Sequence, residues 1–318
     1  MIRRRELLAL TAAAVTLEGK TAKTLNRKER VDRALEGKDV DRPPFSFWHH
    51  FGLETPEAHA KATLDFHAKY RTDIVKVMSD FPYPKPPGAW YELKVNDNPF
   101  PQQIRALDKT RAGLNGHAYF VETIFNPWNV AEKLSSKEEL RRLQRESPQK
   151  LLDALEAITQ SEIGHAKRAL AAGASGILLS VANANAQEMP LEDYRRFSAA
   201  FDRRILAAIP NARLNILHLH VEEPYLDTFR DFPAPIVNYS RAVSGIPIET
   251  VRNRFPQTIA GGLDEVHFRD LGSSELREQW NSARSAAGPK FILTPGCSVP
   301  NDSRPEELSR LPQLLGAL

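Results

Sequence analysis

Residues 176–220, GILLSVANANAQEMPLEDYRRFSAAFDRRILAAIPNARLNILHLH, contain the pattern on which the fold prediction depends. An apolar run at 176–181 is followed by a helical stretch at 190–209 and by a second apolar run at 214–219. Short apolar runs are typical of buried strands, whereas longer amphipathic runs are typical of surface helices. A strand, a helix and a further strand in this order indicate a unit of two neighbouring parallel strands.

The same alternation extends in both directions from this stretch. The predicted strands are 45–48, 74–78, 119–124, 176–181, 214–219, 235–238, 257–261 and 290–294. The clearest predicted helices are 56–70, 147–172, 190–209, 273–287 and 304–317, and a shorter helix is capped by Asn26 and ended by Gly37. Eight strands over ~290 residues predict an α/β fold, a (β/α)8 TIM barrel that forms a single domain over residues 25–318. A doubly wound open sheet is the alternative, but the sequence has no G-x-G-x-x-G motif or P-loop to support it.

The composition excludes several classes of partner. The 318 residues include 43 Lys and Arg against 40 Asp and Glu, and a formal net charge of +3 gives no support for a nucleic-acid-binding surface. No apolar run approaches the ~20 residues that a membrane-spanning helix needs. The chain has a single cysteine, so it forms no internal disulfide, and that residue is free, metal-bound, catalytic or inert.

The N-terminal residues 1–24 allow two interpretations. MIRRRELLALTAAAVTLEGK joins an arginine cluster to the apolar stretch from Leu7 to Leu17, as a twin-arginine export leader does. The same residues fit a short basic helix or a disordered extension, because Glu18 and Lys20 follow without a clear small-residue cleavage site. The first interpretation predicts an exported, periplasmic protein and the second a cytoplasmic one.

Two histidines and the cysteine follow predicted strand ends. His218 and His220 lie at the end of strand 214–219, and Cys297 lies shortly after strand 290–294. Residues i and i+2 of a strand face one side, and the strand ends of a (β/α)8 barrel share one rim, so the three side chains converge. Two imidazoles and a thiolate form a ligand set that holds zinc with one position open for chemistry, although copper and iron suit such sites too. Each residue taken alone is explained more simply as an ordinary core residue.

Further motifs are similar to those of one protein family. They are NRKERVDRALEGKDVDRPPF at 26–45, YRTDIVKVMSDFPYP at 70–84, FVETIFNPWNV at 120–130, ALAAGASGILLS at 169–180, NILHLH at 215–220, TIAGGLDE at 258–265 and TPGCSVP at 294–300. In this order and spacing they resemble the uroporphyrinogen decarboxylase-like superfamily, including its corrinoid:thiol methyltransferase branch. The resemblance implies a TIM-barrel enzyme, with zinc ligands at the positions of His218, His220 and Cys297.

Two departures from the family pattern bear on the substrate. The decarboxylases carry arginines in the loop after the first strand, which pair with substrate carboxylates, but here no arginine lies between Arg42 and Arg71. The methyltransferases resemble one another in a His-x-Cys pair, whereas this chain has His220 in the second position. Replacing a thiolate by a neutral imidazole makes a zinc site more positive by one unit, so we expect stronger polarisation of a bound water or thiol.

Five other residues are candidates for the site. Asp80 matches the family's substrate-contacting aspartate and His50 follows the first predicted strand, so we predict catalytic roles for both. We predict that Tyr83, Asn126 and Asn183 bind substrate, because all three follow predicted strands. The simpler alternatives are a turn for Asp80 and packing for Tyr83.

Three functions are compatible with these residues. The first is zinc-dependent methyl transfer from a corrinoid, carried by a corrinoid protein, to a small-molecule thiol. The second is decarboxylation of uroporphyrinogen or a related carboxylated substrate in porphyrin biosynthesis, centred on Asp80. The third is a non-catalytic homologue that binds a metal or a tetrapyrrole. The family tendency also implies a homodimer.

Overall fold

The computed structural model describes residues 24–318. The predicted leader or extension at 1–24 therefore lies, except for its last residue, outside the described residues. Within residues 24–318 the chain forms one sheet of seven parallel strands in sequential order. The strands are β1 (Ile74–Val77), β2 (Tyr119–Phe125), β3 (Ile177–Val181), β4 (Ile216–Leu219), β5 (Ile236–Tyr239), β6 (Thr258–Leu263) and β7 (Phe291–Pro295). The predicted α/β class with a parallel sheet is confirmed.

Helices precede the sheet and connect its strands. They are α1 (Arg27–Glu36), α2 (Pro56–Tyr70), α3 (Pro101–Leu114), α4 (Pro127–Leu134), α5 (Lys137–Glu146), α6 (Pro148–Ala171), α7 (Leu191–Tyr194), α8 (Ala200–Ala207), α9 (Arg241–Ser244), α10 (Ile248–Arg254), α11 (Ser273–Ala287) and α12 (Pro305–Leu314). The caps predicted for α1 are present, because Asn26 accepts from the Glu29 amide and Gly37 ends the helix with φ 71°. Among residues 24–318, none of the helices has the length and apolar character that a membrane crossing requires.

The predicted strand at 45–48 is wrong as a full strand. Only Phe45 forms a bridge there, a parallel pairing with Leu293 of β7. On its other side the Phe45 carbonyl accepts a hydrogen bond of 2.8 Å from the Asp73 amide, just before β1. Pro43 and Pro44 have no N–H to donate, so a regular ladder cannot extend toward the start of this segment. The segment nevertheless contacts both edge strands of the sheet.

The predicted continuous helix at 190–209 is interrupted. A π-helical turn at Arg195–Ala199 separates α7 from α8. Within this turn the buried Ser198 hydroxyl donates to Asp202 at 3.0 Å and accepts from Asn183 at 3.1 Å. These buried bonds accompany the local departure from α-helical spacing, which apolar periodicity alone does not reveal.

The register of the sheet aligns polar side chains near its carboxyl edge. Ser180 of β3 pairs with His218 of β4, and His218 pairs with Asn238 of β5. Below them an apolar cluster fills the sheet interior: Val31, Trp48, Ile74, Val121, Leu178, Leu214, Ile216, Ile236, Ala260 and Ile292. A larger apolar core packs the opposite face of the sheet against the helices. The polar row is therefore held on a rigid, water-excluding base.

Candidate metal centre

The two histidines and the cysteine meet at the carboxyl edge of the sheet. The ligand atoms of His218, His220 and Cys297 all lie within 4.8 Å of one another, and we call these residues the His–His–Cys cluster. His218 is buried at the end of β4, His220 is exposed and Cys297 is half-buried. The His220 amide donates to the Val181 carbonyl at 2.9 Å, which holds the chain beside β3 just after β4 ends. The convergence expected from the sequence is present.

A hydrogen-bond chain orients His218. Its Nδ1 lies 2.6 Å from Oδ1 of Asn238, which also accepts from Trp48 Nε1 at 3.1 Å. The Asn238 amide nitrogen donates to the carbonyls of Ala260 and Pro295, so its oxygen must face His218. His218 therefore carries its proton on Nδ1, and the lone pair of Nε2 is left for another partner.

A glycine positions the cysteine loop. The Gly296 amide donates to Oε2 of the buried Glu265 at 3.0 Å. A Cβ at residue 296 would lie 2.3 Å from the Cα of Ser240, so no other residue fits without moving the backbone. Cys297 is thereby presented to the two histidines from a loop that is held on both sides.

The surroundings of Cys297 favour its thiolate. Burial by itself raises the pKa of the thiol, but the interactions with His218 and His220 outweigh burial and lower the pKa to about 4. The interaction with Cys297 also raises the pKa of His220. The cluster offers negative sulfur and imidazole nitrogen together, which is the donor chemistry of a zinc site.

The cluster opens on a cavity of about 220 Å³, which we call the central cavity. Lys76 of β1 lines it together with His50, Ser180 and Ser298. Burial lowers the pKa of Lys76 to about 8, despite the opposing attraction of Cys297 and other acidic groups. Sequence reasoning missed Lys76, although a lysine inside the apolar run IVKVM was a usable signal.

The predicted catalytic pair comes together beside the central cavity. Nδ1 of His50 lies 3.6 Å from Oδ1 of Asp80, and Nε2 of the buried His59 lies 3.2 Å from Oδ2. Burial raises the pKa of Asp80, but the nearby His50 and His59 side chains outweigh burial and bring it below its ordinary value. His50 lines the central cavity, so Asp80 supports a histidine that faces the His–His–Cys cluster. His59 on α2 was not anticipated from the sequence.

The three predicted substrate-binding residues lie elsewhere. Tyr83 lines a different cavity, which lies beside β2. Asn126 and Asn183 are buried in a polar network with Ser198 and Asp202, which we call the amide cluster. Neither asparagine lines the central cavity, and both side chains are engaged by protein groups. A substrate-binding role for them stays a prediction.

Comparison with known proteins identifies the family. The family model for uroporphyrinogen decarboxylase (URO-D) matches residues 82–316, which is well over half of the chain. The chain belongs to this family, as the sequence motifs implied. No curated protein matches the chain at a significant level.

Solved structures confirm the architecture. A methyltransferase from Methanosarcina mazei superposes with a TM-score of 0.77 at 16% identity, covering 92% of this chain and 99% of the other. A B12-independent methionine synthase from Shewanella sp. W3-18-1 gives 0.59 at 11% identity, covering 87% and 94%. A putative vitamin-B12 independent methionine synthase from Listeria monocytogenes gives 0.55 at 10% identity, covering 82% and 86%. At such identities the likeness establishes a shared fold, and together with the family it supports an enzymatic function.

Proposed function

We propose that this protein is a methyltransferase that binds zinc through His218, His220 and Cys297 and transfers a methyl group to a thiol. The observation that carries the proposal is the His–His–Cys cluster, which is oriented from below by Asn238 and opens above on the central cavity. A cavity beside the ligands leaves room for a substrate in the remaining coordination position.

The donor set fits zinc in number, type and spacing. Tetrahedral zinc with ordinary Zn–N and Zn–S bond lengths separates its ligand atoms by roughly 3.4–3.7 Å. The three atoms here lie within 4.8 Å of one another, so only small side-chain movements are needed to reach that geometry. When bound, zinc supplies the positive charge that lowers the pKa of an incoming thiol.

Residues around the central cavity supply the remaining functions. We assign to His50 the role of accepting the thiol proton, because it faces the cavity while Asp80 lies behind it and stabilises the imidazolium. Lys76 adds a positive charge to the same cavity and so favours an anionic sulfur over a neutral one. Residues that line or adjoin the central cavity therefore account both for removal of the thiol proton and for stabilisation of the thiolate.

The methyl donor we propose is a methylated corrinoid, presented by a corrinoid protein above the carboxyl edge of the sheet. The similar Methanosarcina mazei structure is that of a methyltransferase, which supports the reaction class. The methionine synthase names specify B12 independence, so the donor is the part of the proposal that needs its own test.

Decarboxylation is the second candidate, and the family description together with Asp80 favours it. Uroporphyrinogen carries many carboxylates and requires several guanidinium partners. Among the described residues, those that line the central cavity include lysines but no arginine. That lining favours a substrate with fewer negative charges than uroporphyrinogen.

We also infer that residues 44–46 take the place of the first strand of an eight-stranded barrel. The carbonyl of Pro44 accepts from the Leu293 amide at 2.8 Å, and the Ser46 amide donates to the Leu293 carbonyl at 3.2 Å. The Ser46 hydroxyl donates to the Ile74 carbonyl at 2.7 Å on the other side. These contacts bridge β7 and β1, as barrel closure requires.

The test is demethylation of methylcobalamin in the presence of a panel of small thiols. Wild-type protein should demethylate it only when a thiol is added, and Cys297→Ala should be inactive. His267→Ala is the control, because His267 is exposed and pairs with Asp264 instead of lining the central cavity. Absence of turnover with every thiol by zinc-loaded protein would contradict methyl transfer from a corrinoid. Conversion of uroporphyrinogen by the same protein would establish the second candidate.

A further inference from the structure

A second cavity lies beside β2, and its lining does not include the His–His–Cys cluster. Its volume is about 280 Å³, and we call it the side cavity. Aromatic rings from Phe81, Tyr83, Phe100 and Phe125 supply much of its wall. Asp80, which supports His50 in the methyl transfer proposed above, also lines this space, but that proposal places no substrate in it.

One buried carboxyl group faces the side cavity without a partner. Glu162 of α6 is only 1% exposed, and its Oε2 atom has no hydrogen-bond partner among the described residues. The neighbouring acid, Glu122, differs in this respect, because its two oxygens are bonded to Gln103 at 2.7 Å and to His165 at 2.9 Å. A buried polar atom left without a partner is costly, so Glu162 is the group in this wall that a ligand would satisfy.

The environment of Glu162 favours the protonated, neutral form of its carboxyl group. Burial and the nearby Glu122 raise its pKa well above the ordinary value, and Lys133 opposes them only in part. Lys133 also lines the cavity, and its ammonium group lies 3.2 Å from the centroid of the Phe125 ring. Its charge is therefore directed to an aromatic face.

A neutral carboxyl group presents one donor and one acceptor on the same edge. The group that complements both at once is an amide, which offers an acceptor oxygen and a donor nitrogen in the matching arrangement. Tyr83 adds a second polar group to the wall, because its buried hydroxyl has no hydrogen-bond partner among the described residues.

We propose that the side cavity binds a small, uncharged aromatic molecule bearing an amide group, with the amide bonded to Glu162 and the ring packed among the phenylalanines. Aromatic walls with few, well-placed polar groups are the usual construction of small-molecule sites. The site lies close to the central cavity, since Thr123, Phe125 and Lys133 line both spaces.

Three probes with one aromatic ring and different head groups test the assignment: benzamide, benzoate and benzylammonium. We expect saturable binding of benzamide to the purified full chain, with a Kd at least about tenfold lower than for either charged probe, measured by ligand-observed NMR titration. Glu162→Gln keeps a donor and an acceptor and should bind benzamide much as the wild type does. Glu162→Leu should raise its Kd by about tenfold or more.

A substitution that fills the side cavity tests whether benzamide binds there. Leu134 is half-buried in the wall of the side cavity, and Leu134→Phe should abolish benzamide binding while the circular dichroism spectrum and the bound metal stay unchanged. Tighter binding of benzylammonium than of benzamide would overturn the neutral-amide assignment. Wild-type affinity in Glu162→Leu, or no saturable binding of any probe to the wild type, would overturn the site itself.

Discussion

The His–His–Cys cluster and the amide cluster both lie near the carboxyl ends of the strands, but their polar atoms face different partners. In the amide cluster each side chain bonds to another member, so that Asn126 alone contacts Asn183, Ser198 and Asp202. In the His–His–Cys cluster the hydrogen bonds lie below, at Asn238, and the ligand atoms converge beside the central cavity. A place at the carboxyl edge of the sheet therefore does not distinguish a functional side chain from a structural one. The distinction comes from whether its donors and acceptors bond to other protein groups or face a cavity.

The largest expected difference between the two clusters is the reactivity of the Cys297 thiol. In metal-free protein the thiolate fraction of Cys297 should rise as the pH passes its pKa of about 4, far below the ordinary value of 9.0. Alkylation by iodoacetamide should therefore stay near its plateau at pH 6 and fall only below about pH 4. His220→Ala removes one stabilising hydrogen bond and should move the midpoint upward. A wild-type midpoint near the ordinary thiol pKa would contradict the description of this cluster.

The next effect concerns the stability of the amide cluster. Asn126→Ala deletes the cap of α4 and leaves the buried Asp202 with fewer partners, so the free energy of unfolding should fall by about 2–4 kcal/mol. Denaturant titration measures this change, and Asn281→Ala on the exposed face of α11 should cost less than ~0.5 kcal/mol. Zinc content should not change. Loss of zinc with unchanged stability would instead assign Asn126 to the site.

A smaller effect is expected where the sheet supports the ligands. Asn238→Ala frees the His218 ring to rotate, so zinc affinity should fall about 10- to 100-fold in competition with a chromophoric chelator. Asn238→Asp keeps an acceptor for Nδ1 and should recover part of that loss. Equal affinities for wild type and Asn238→Ala would mean that the hydrogen bond does not orient the ligand.

The smallest effect is expected from the position where this chain departs from its family. His220→Cys restores the methyltransferase pattern and should still bind zinc, because two thiolates and one imidazole form an established ligand set. The site becomes less positive by one charge, so thiol activation and the rate of methylcobalamin demethylation should decrease. A faster rate in the variant would refute the charge argument.

The sequence predicts the parts of this molecule that depend on local patterns. Alternating apolar runs locate the strands of the sheet, and strand ends place His218, His220 and Cys297 together, because parallel strands finish on one edge. The segment 45–48 has residues typical of a strand, but it forms only one β-bridge. The prolines before it and its position between the edge strands β1 and β7 prevent a longer ladder.

Residues that act through long-range contacts were harder to predict. Asn238 ends an ordinary apolar run, and its role depends on Trp48 and His218, which lie 190 and 20 positions away. Glu162 is one of several acidic residues on α6, and its burial depends on the packing of that helix against other elements, including β2. The roles of Asn238 and Glu162 depend on tertiary contacts, which the local pattern of apolar residues does not indicate.

Bound metal in the purified protein tests the central claim most directly. Elemental analysis of wild type, Cys297→Ala and the control His267→Ala should give near-stoichiometric zinc in the first and third and none in the second. Protein prepared without chelators that contains no metal, or a Cys297→Ala variant that retains full zinc, would contradict a zinc centre at the His–His–Cys cluster.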